Sequence, residues 1–327
     1  MSTTAAPATQ VSAIPEVDAS RQDRLTPQQA QAFREAGLLI IRGLVRGEEL
    51  AALQRETMPL VEQAKALCSG RTETPEWDVH HVLATRHAQT GQLTPYRQEY
   101  PCQRSQACRL LLAHPFILAS VEMLQGPDFT PTWDSLVFKY PGHGAIIPWH
   151  RDGEPPVHLP SPVFNVDFYL DASDQTNCVW GIPGSHLWTQ EAALAECQRR
   201  NSGTAWEAAG AVPVPMQPGD VLLHDIKALH GSPWAQSTLR RVLYYEFRAA
   251  EVILANQLRT PAYVKRKQLM LKSLVAQRAA NPLFAGEKPH PYAPVAGEWN
   301  RWQLPSDWVP ATYQYVHEDY TTTNVSY

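Results

Sequence analysis

The tripeptide His150-Arg151-Asp152 places an imidazole and a carboxylate two residues apart. In an extended strand, side chains at i and i+2 leave the same face, so the pair can grip one ion between them. The spacing recurs at His317-Glu318-Asp319, but no histidine follows that copy. Only the first has downstream histidines with which to finish a site. His224 and His230 are the near candidates, and His224 reads more simply as a strand histidine satisfied by its neighbours. His230 is followed by Gly231-Ser232 and, eleven residues on, by Arg241. Two histidines and one carboxylate with open positions form the set expected for non-haem Fe(II) and O2 chemistry.

The strand that begins at Arg240 decides which arginine matters. Arg241, Leu243, Tyr245 and Phe247 share one face, and Arg240, Val242, Tyr244, Glu246 and Arg248 the other. The first set is the more apolar and is expected to face the core. Arg241 then points a guanidinium into the barrel, which is costly unless an anion meets it there. A dicarboxylate co-substrate would supply that anion.

The elements that must hold these residues can be read in order. Residues 1–22 are rich in Ala, Thr, Ser and Pro, with few large apolar groups to offset the entropy of ordering, and are expected to form a disordered tail. Thr26-Pro27-Gln28-Gln29 has the form of a capping box opening a helix that ends at Gly37. A buried strand at residues 38–41 and a helix over about 48–68, kinked at Pro59, come next. From 69 to 103 the periodicity fades, and Trp77, His80, His81, Arg86, His87, Tyr96 and Arg97 mix in what reads as a functional lid, a binding loop or a solvated excursion. Two short helices, at about 105–113 and 115–124, close at Gly126.

After this point the pattern turns to short strands separated by Gly/Pro turns, at about 134–140, 145–152, 162–170, 178–182, 221–224 and 240–248. A helical insertion at about 190–200 interrupts them. The expected fold is mainly β with α elements: a double-stranded β-helix (a jelly roll of cupin type) at about 132–248, inside a domain spanning 23–250 and flanked by N-terminal helices. Residues 251–327 are expected to pack on the same domain as an extension. It has a basic helix around 264–278, whose Lys265-Arg266-Lys267 run is a solvated face or a phosphate contact, and then Trp299, Trp302, Trp308, Tyr313 and Tyr315. Copies of the chain could associate as a homo-oligomer through it.

Composition narrows the partners. A net charge of -4 and a pI near 6.3 argue against a nucleic acid or an anionic membrane. No apolar run is long enough for a membrane span, and no signal peptide is recognisable. The five cysteines form no Cys-x-x-Cys pair and read as reduced thiols of a cytoplasmic protein.

The blocks FKYPGHGAIIPWHRD, IPGSH and PGDVLL, then HGS with Arg241 eleven residues after the histidine, lie in this order within residues 138–241. In this order and spacing they resemble the phytanoyl-CoA dioxygenase family of Fe(II)/2-oxoglutarate oxygenases, over most of residues 24–250. The resemblance implies His150, Asp152 and His230 as catalytic iron ligands. It implies Arg241 as partner of the distal carboxylate of 2-oxoglutarate, with Lys139 and Ser232 as supporting contacts. Fe(II), 2-oxoglutarate and O2 are the implied cofactor and co-substrates, and the reaction is oxidation of a C–H bond of a small-molecule substrate with release of succinate and CO2.

Asp167 stands about where many members carry Trp, and is expected at the substrate wall together with His158 and Trp149. An intact Asp152 separates the chain from halogenating relatives that replace the carboxylate. An acyl-CoA hydroxylase is the alternative within the class. Outside it stand a cupin-like metal protein with non-oxidative chemistry, which leaves Arg241 without a partner, and a catalytically silent binding module.

Overall fold

Phe164 to Tyr169 alternates apolar and polar residues, yet all six are buried. A strand of this kind must have a covered surface on both sides. In the computed structural model, which describes residues 13–71, 82–86, 91–141, 146–153, 159–203, 206, 210–233 and 238–294, that strand lies inside an eight-stranded sheet. Numbered along the chain, its order is β1 (Glu16–Asp18), β2 (Leu38–Arg42), β10 (Val221–Asp225), β7 (Phe164–Tyr169), β12 (Arg240–Ala249), β5 (Phe129–Lys139), β4 (Leu93–Glu99) and β3 (Val82–Arg86). A four-stranded sheet of β6 (Ile147–His150), β11 (His230–Ser232), β8 (Val179–Gly181) and β9 (Val212–Val214) faces it. The two sheets make the expected jelly roll.

The apolar face of the large sheet packs on helices. Leu39, Ile41, Phe138, Val166, Phe168, Leu243 and Tyr245 join Leu53 and Leu60 of α2 (Gly47–Cys68) in the main core. Phe168 and Tyr245 meet edge to face at 5.5 Å. Each such side chain contributes about 1.5–3 kcal/mol by leaving water. The opposite face holds a smaller cluster, including Ile40, Tyr169, Leu222 and Val242, among polar side chains. The large sheet therefore has its greasier side outside the barrel and its more polar side within.

Local signals place the N-terminal elements. Thr26 and Gln29 form the reciprocal capping box at the start of α1 (Pro27–Ala36). Gly37 ends the helix at φ 70°, where an added Cβ would lie 2.3 Å from the His186 ring, so both the left-handed backbone and the close approach require glycine. His186 donates from Nε2 to the Arg34 carbonyl, which ties the IPGSH turn to α1. Helix α2 continues through Pro59.

Three expectations need correction. Order begins inside the expected tail: β1 pairs in parallel with β2, and Val17 enters the main core, because two spaced apolar side chains, Ile14 and Val17, suffice to anchor a short edge strand. The segment 69–103 is not a structureless connection, since β3 and β4 form a hairpin that extends the large sheet beside β5. Its Trp77, His80, His81 and His87 lie outside the described residues. Finally, the basic run on α7 (Pro261–Ala280) is not a uniformly solvated face. Lys267 is buried, with its ammonium 5.7 Å from the Tyr263 ring centre.

The C-terminal elements are fixed by buried polar contacts. Tyr263 donates to the Thr132 carbonyl, and Arg278 reaches Glu49 on α2 and Glu287. The aromatic stretch 299–315 and the second His-x-Asp motif lie outside the described residues. All five cysteines are free and buried. No single helix among the described residues is long and apolar enough to cross a membrane.

Candidate metal centre

His150 and His230 face each other as a cross-strand pair on β6 and β11, with ring centres 4.3 Å apart. Next to His230, Gly231 has no room for a side chain: a Cβ there would meet Trp206 at 2.9 Å and the Ile147 carbonyl at 3.0 Å. The motif His-Gly-Ser thus lets β11 close on β6. Asp152 lies just past the end of β6, after Arg151, its backbone N–H donating to the Ile226 carbonyl at 2.8 Å. Donor atoms of His150, Asp152 and His230 all lie within 4.8 Å of one another.

Hydrogen bonds on the far side of each ring fix which atoms converge. His150 Nδ1 is 2.7 Å from the Pro148 carbonyl and His230 Nδ1 is 3.0 Å from that of Ala228. A carbonyl only accepts, so Nδ1 carries the proton and Nε2 presents a lone pair. Both Nε2 atoms point at Asp152 Oδ1, at 3.3 and 3.8 Å. Burial, reinforced by His150, pulls His230 down to about 3, so it is a neutral ligand near pH 7. Burial opposes ionisation of Asp152, but His230, His150 and His224 outweigh it and hold the carboxyl well below its ordinary value. Two imidazole Nε2 atoms and a carboxylate oxygen, converging on one point, fit a divalent metal ion.

The other oxygen of Asp152 is also engaged. Oδ2 lies 2.8 Å from Nε2 of His224 and 2.8 Å from Nδ2 of Asn165. His224 Nδ1 is 2.6 Å from Asp167 Oδ2. Burial works against the charged ring, but Asp167 and Asp152 together raise His224 to about 10. The expectation that neighbours satisfy this histidine is met, and one of those neighbours belongs to the metal cluster.

The arginines are arranged otherwise than expected. Arg241 points away from the cluster into the layer between sheet and helices. There it pairs bidentately with Asp171 at 2.8 Å and donates to the Gln54 carbonyl and Thr57 on α2. Arg240 lines the same cavity as His150, Asp152 and His230. The apolar face of β12 does face a core, but that core is the helix layer and not the barrel.

Lys139, opposite Arg240 in the β5–β12 register, donates to Ser232 Oγ at 2.8 Å and to the Pro233 carbonyl. Arg240 donates to the same hydroxyl at 3.0 Å and to the Asn177 carbonyl. Both cations are 1% exposed, and neither has a carboxylate partner among the described residues. Burial, then Arg240, drives the Lys139 ammonium well below the usual lysine range.

Of the residues expected at the substrate wall, two lie elsewhere. Trp149 is buried in a separate apolar cluster and stacks on Trp206 at 5.4 Å, with the Arg200 guanidinium 4.7 Å from its ring. Asp167 is 1% exposed and committed to His224. His158 lies outside the described residues. The cavity is instead walled by Tyr96 and Arg97 of β4, Trp133 of β5 and Tyr244 of β12. Arg97 stacks 4.1 Å over Trp133 and pairs with Glu99 at 2.8 Å.

A jelly roll with this donor set lining one cavity fits the class of non-haem iron, 2-oxoglutarate-dependent oxygenases. The family model for phytanoyl-CoA dioxygenase (PhyH) matches residues 33–242, and the chain belongs to that family. Among solved structures, EvdMO1 is similar at 27% identity and a TM-score of 0.53, over 68% of this chain and 50% of that one. The chain thus spans half the length of that protein. AviO1 from Streptomyces viridochromogenes Tue57 matches at 24% identity and 0.51, over 68% of this chain and 94% of that one. EctD from S. alaskensis, solved with 2-oxoglutarate and 5-hydroxyectoine, matches at 21% identity and 0.52, over 69% and 77%. The last two likenesses concern the fold. No curated protein matches the chain.

Proposed function

We propose that the chain oxidises an unactivated C–H bond of a small-molecule metabolite, with hydroxylation as the outcome and 2-oxoglutarate as co-substrate. Bound at this site, iron with 2-oxoglutarate and O2 supplies the oxidant, and succinate and CO2 are the co-products. In this reading His150 Nε2, His230 Nε2 and Asp152 Oδ1 hold the ion. Arg240 receives the distal carboxylate of 2-oxoglutarate, with Lys139 and Ser232 beside it. Arg240 takes the role expected of Arg241, one position earlier on the same strand.

The observation that carries this reading is the buried Arg240 guanidinium with Lys139 beside it, neither bonded to a carboxylate among the described residues. A buried charge without a hydrogen-bonded counter-ion is costly, and among the described residues Lys139 and Arg240 donate to carbonyl and hydroxyl oxygens. An incoming dianion would compensate them, and a carboxylate suits the planar guanidinium. A cupin performing non-oxidative chemistry has no use for such a pocket next to a metal. Tyr96, Trp133 and Tyr244 form the remaining wall, where they orient the substrate and exclude water. A free metabolite is favoured over a coenzyme A ester, because Lys267 of the basic run is buried on α7.

Anaerobic addition of Fe(II) and 2-oxoglutarate is expected to give a weak visible charge-transfer band. In air, a screen of candidate metabolites is expected to find compounds that stimulate succinate release. Absence of both the band and any succinate would sink the proposal.

A further inference from the structure

Within the proposed iron site, on which this inference rests, one feature is not accounted for by metal ligation or co-substrate binding. Asp152 follows a short strand of the small sheet, but its second oxygen is gripped from the large sheet. His224 on β10 and Asn165 on β7, paired with each other in the strand register, both reach Oδ2 at 2.8 Å. Asp167, also on β7, holds the far side of the His224 ring at 2.6 Å. All three are at most 2% exposed.

The chemistry of these contacts gives them a direction. A carboxylate on a flexible turn can offer a metal either oxygen or both. Here Oδ2 already accepts two hydrogen bonds, and only Oδ1 faces the two imidazole nitrogens. A ring with a carboxylate oxygen at each nitrogen has no freedom to turn. Asp167 therefore fixes the plane of His224, and His224 in turn fixes the plane of Asp152. We infer that His224, oriented by Asp167 and assisted by Asn165, is a positioning residue that makes Asp152 a one-oxygen ligand and locks the two sheets together at the metal.

This arrangement leaves one side of the ion open for the co-substrate without touching it. Outer partners of this kind commonly change metal affinity by about 10–100-fold when removed. The roles are separable: His224 supplies the hydrogen bond to Asp152, while Asp167 supplies only orientation and charge.

The test is metal binding to the full chain without turnover. Wild type, His224→Ala, His224→Gln and Asp167→Asn are titrated anaerobically with Co(II), following the visible d–d spectrum and the rise in melting temperature that metal produces. His224→Ala is expected to weaken Co(II) binding at least 10-fold and to alter the spectrum. His224→Gln, whose amide can still donate to Asp152, is expected to recover most of the affinity. Asp167→Asn, which preserves shape and serves if His224→Ala loses the fold, is expected to fall between.

Wild-type affinity and spectrum in His224→Ala, or in both conservative variants, would overturn the inference while leaving the iron site standing. A lowered melting temperature with unchanged Co(II) affinity would overturn it as well, because it marks a purely structural role. If wild type binds no better than Asp152→Ala, the iron-site reading itself fails, and the two failures are distinct.

Discussion

Arg240 and Arg241 are adjacent on β12, carry the same charge and are almost equally buried, at 1% and 5% exposed. Arg241 has its charge neutralised by Asp171 and its remaining donors taken up by α2. Arg240 meets a carbonyl and a hydroxyl and shares its surroundings with a second cation. On the helix side the charge of Arg241 is met within the protein, where it serves stability. On the cavity side Arg240 and Lys139 have no carboxylate partner among the described residues. Burial alone does not separate structure from function here. Saturation does.

Substitutions on the two sides test this contrast. The largest effect belongs to Asp152→Ala, which is expected to abolish metal-dependent succinate formation and the anaerobic charge-transfer band, read directly by absorption. Wild-type turnover in that variant would remove the cavity side from the chemistry altogether.

Next comes the arginine pair. Arg240→Ala is expected to raise the KM for 2-oxoglutarate by about 30-fold or more, since a stranded carboxylate costs about 2–5 kcal/mol. Its melting temperature should hold or rise as a buried charge is removed. Arg241→Ala is expected to do the reverse. It should leave that KM within about twofold and lower stability by about 2–4 kcal/mol, because Asp171 loses its partner. Steady-state kinetics and denaturant unfolding on both variants decide the matter, and exchanged phenotypes would invert the reading of β12.

Smaller is the effect of Tyr245→Phe, on the helix side, which removes the bond to the Cys108 carbonyl. It is expected to cost about 1 kcal/mol in unfolding with no change in kinetics.

The subtlest contrast is in pH. Burial, then Arg278, holds His114 at the head of α4 (Pro115–Gln125) well below 6.5. The unfolded chain then binds more protons, so this residue costs stability as pH falls below about 6.5. His224 on the cavity side has the opposite sign. Its folded value of about 10 lies above the unfolded one, so it adds stability that is fully present below about 6.5 and is lost as pH rises towards 10. Melting curves of the metal-free protein at pH 5.5 and 8.5 are expected to show His114→Gln relatively strengthened at the acid end. His224→Gln should be relatively weakened there. Parallel shifts in both variants would contradict the assignment.

The sequence was most informative where the physics is local. His150 and Asp152 could be paired because strand geometry makes i and i+2 neighbours, and His230 followed from the need for a third ligand and from the His-Gly-Ser block. The capping box at Thr26 and the left-handed end at Gly37 were legible for the same reason, each being decided by a few consecutive residues. The tail boundary and the hairpin at residues 82–99 were not, because β1 and β4 are stabilised by the strands beside them and carry weak patterns of their own.

The error at Arg241 has a specific cause. Alternation along β12 separates two sets of side chains but does not say what covers each. Choosing the more apolar set for the barrel assumes a sheet with one buried face. Here helices bury the outer face more thoroughly than the small sheet buries the inner one. One signal was available in β7, where Asn165 and Asp167 alternate with Phe164, Val166 and Phe168 in a strand that also reads as fully core. A polar set in such a strand marks the side that holds a site, and the same rule applied to β12 selects Arg240.

Local sequence patterns pointed to His150, Asp152 and His230 as candidate donors, to the class of fold that brings them together and to the short elements whose geometry is fixed within a few residues. Only the tertiary structure decided which arginine meets the cavity, that Lys139 stands opposite it, and that His224, Asn165 and Asp167 converge on the unused oxygen of Asp152. Those residues lie on different strands and meet across hydrogen-bonded registers and the gap between two sheets. Their partnership depends on which strands become neighbours, a long-range choice that no local pattern encodes.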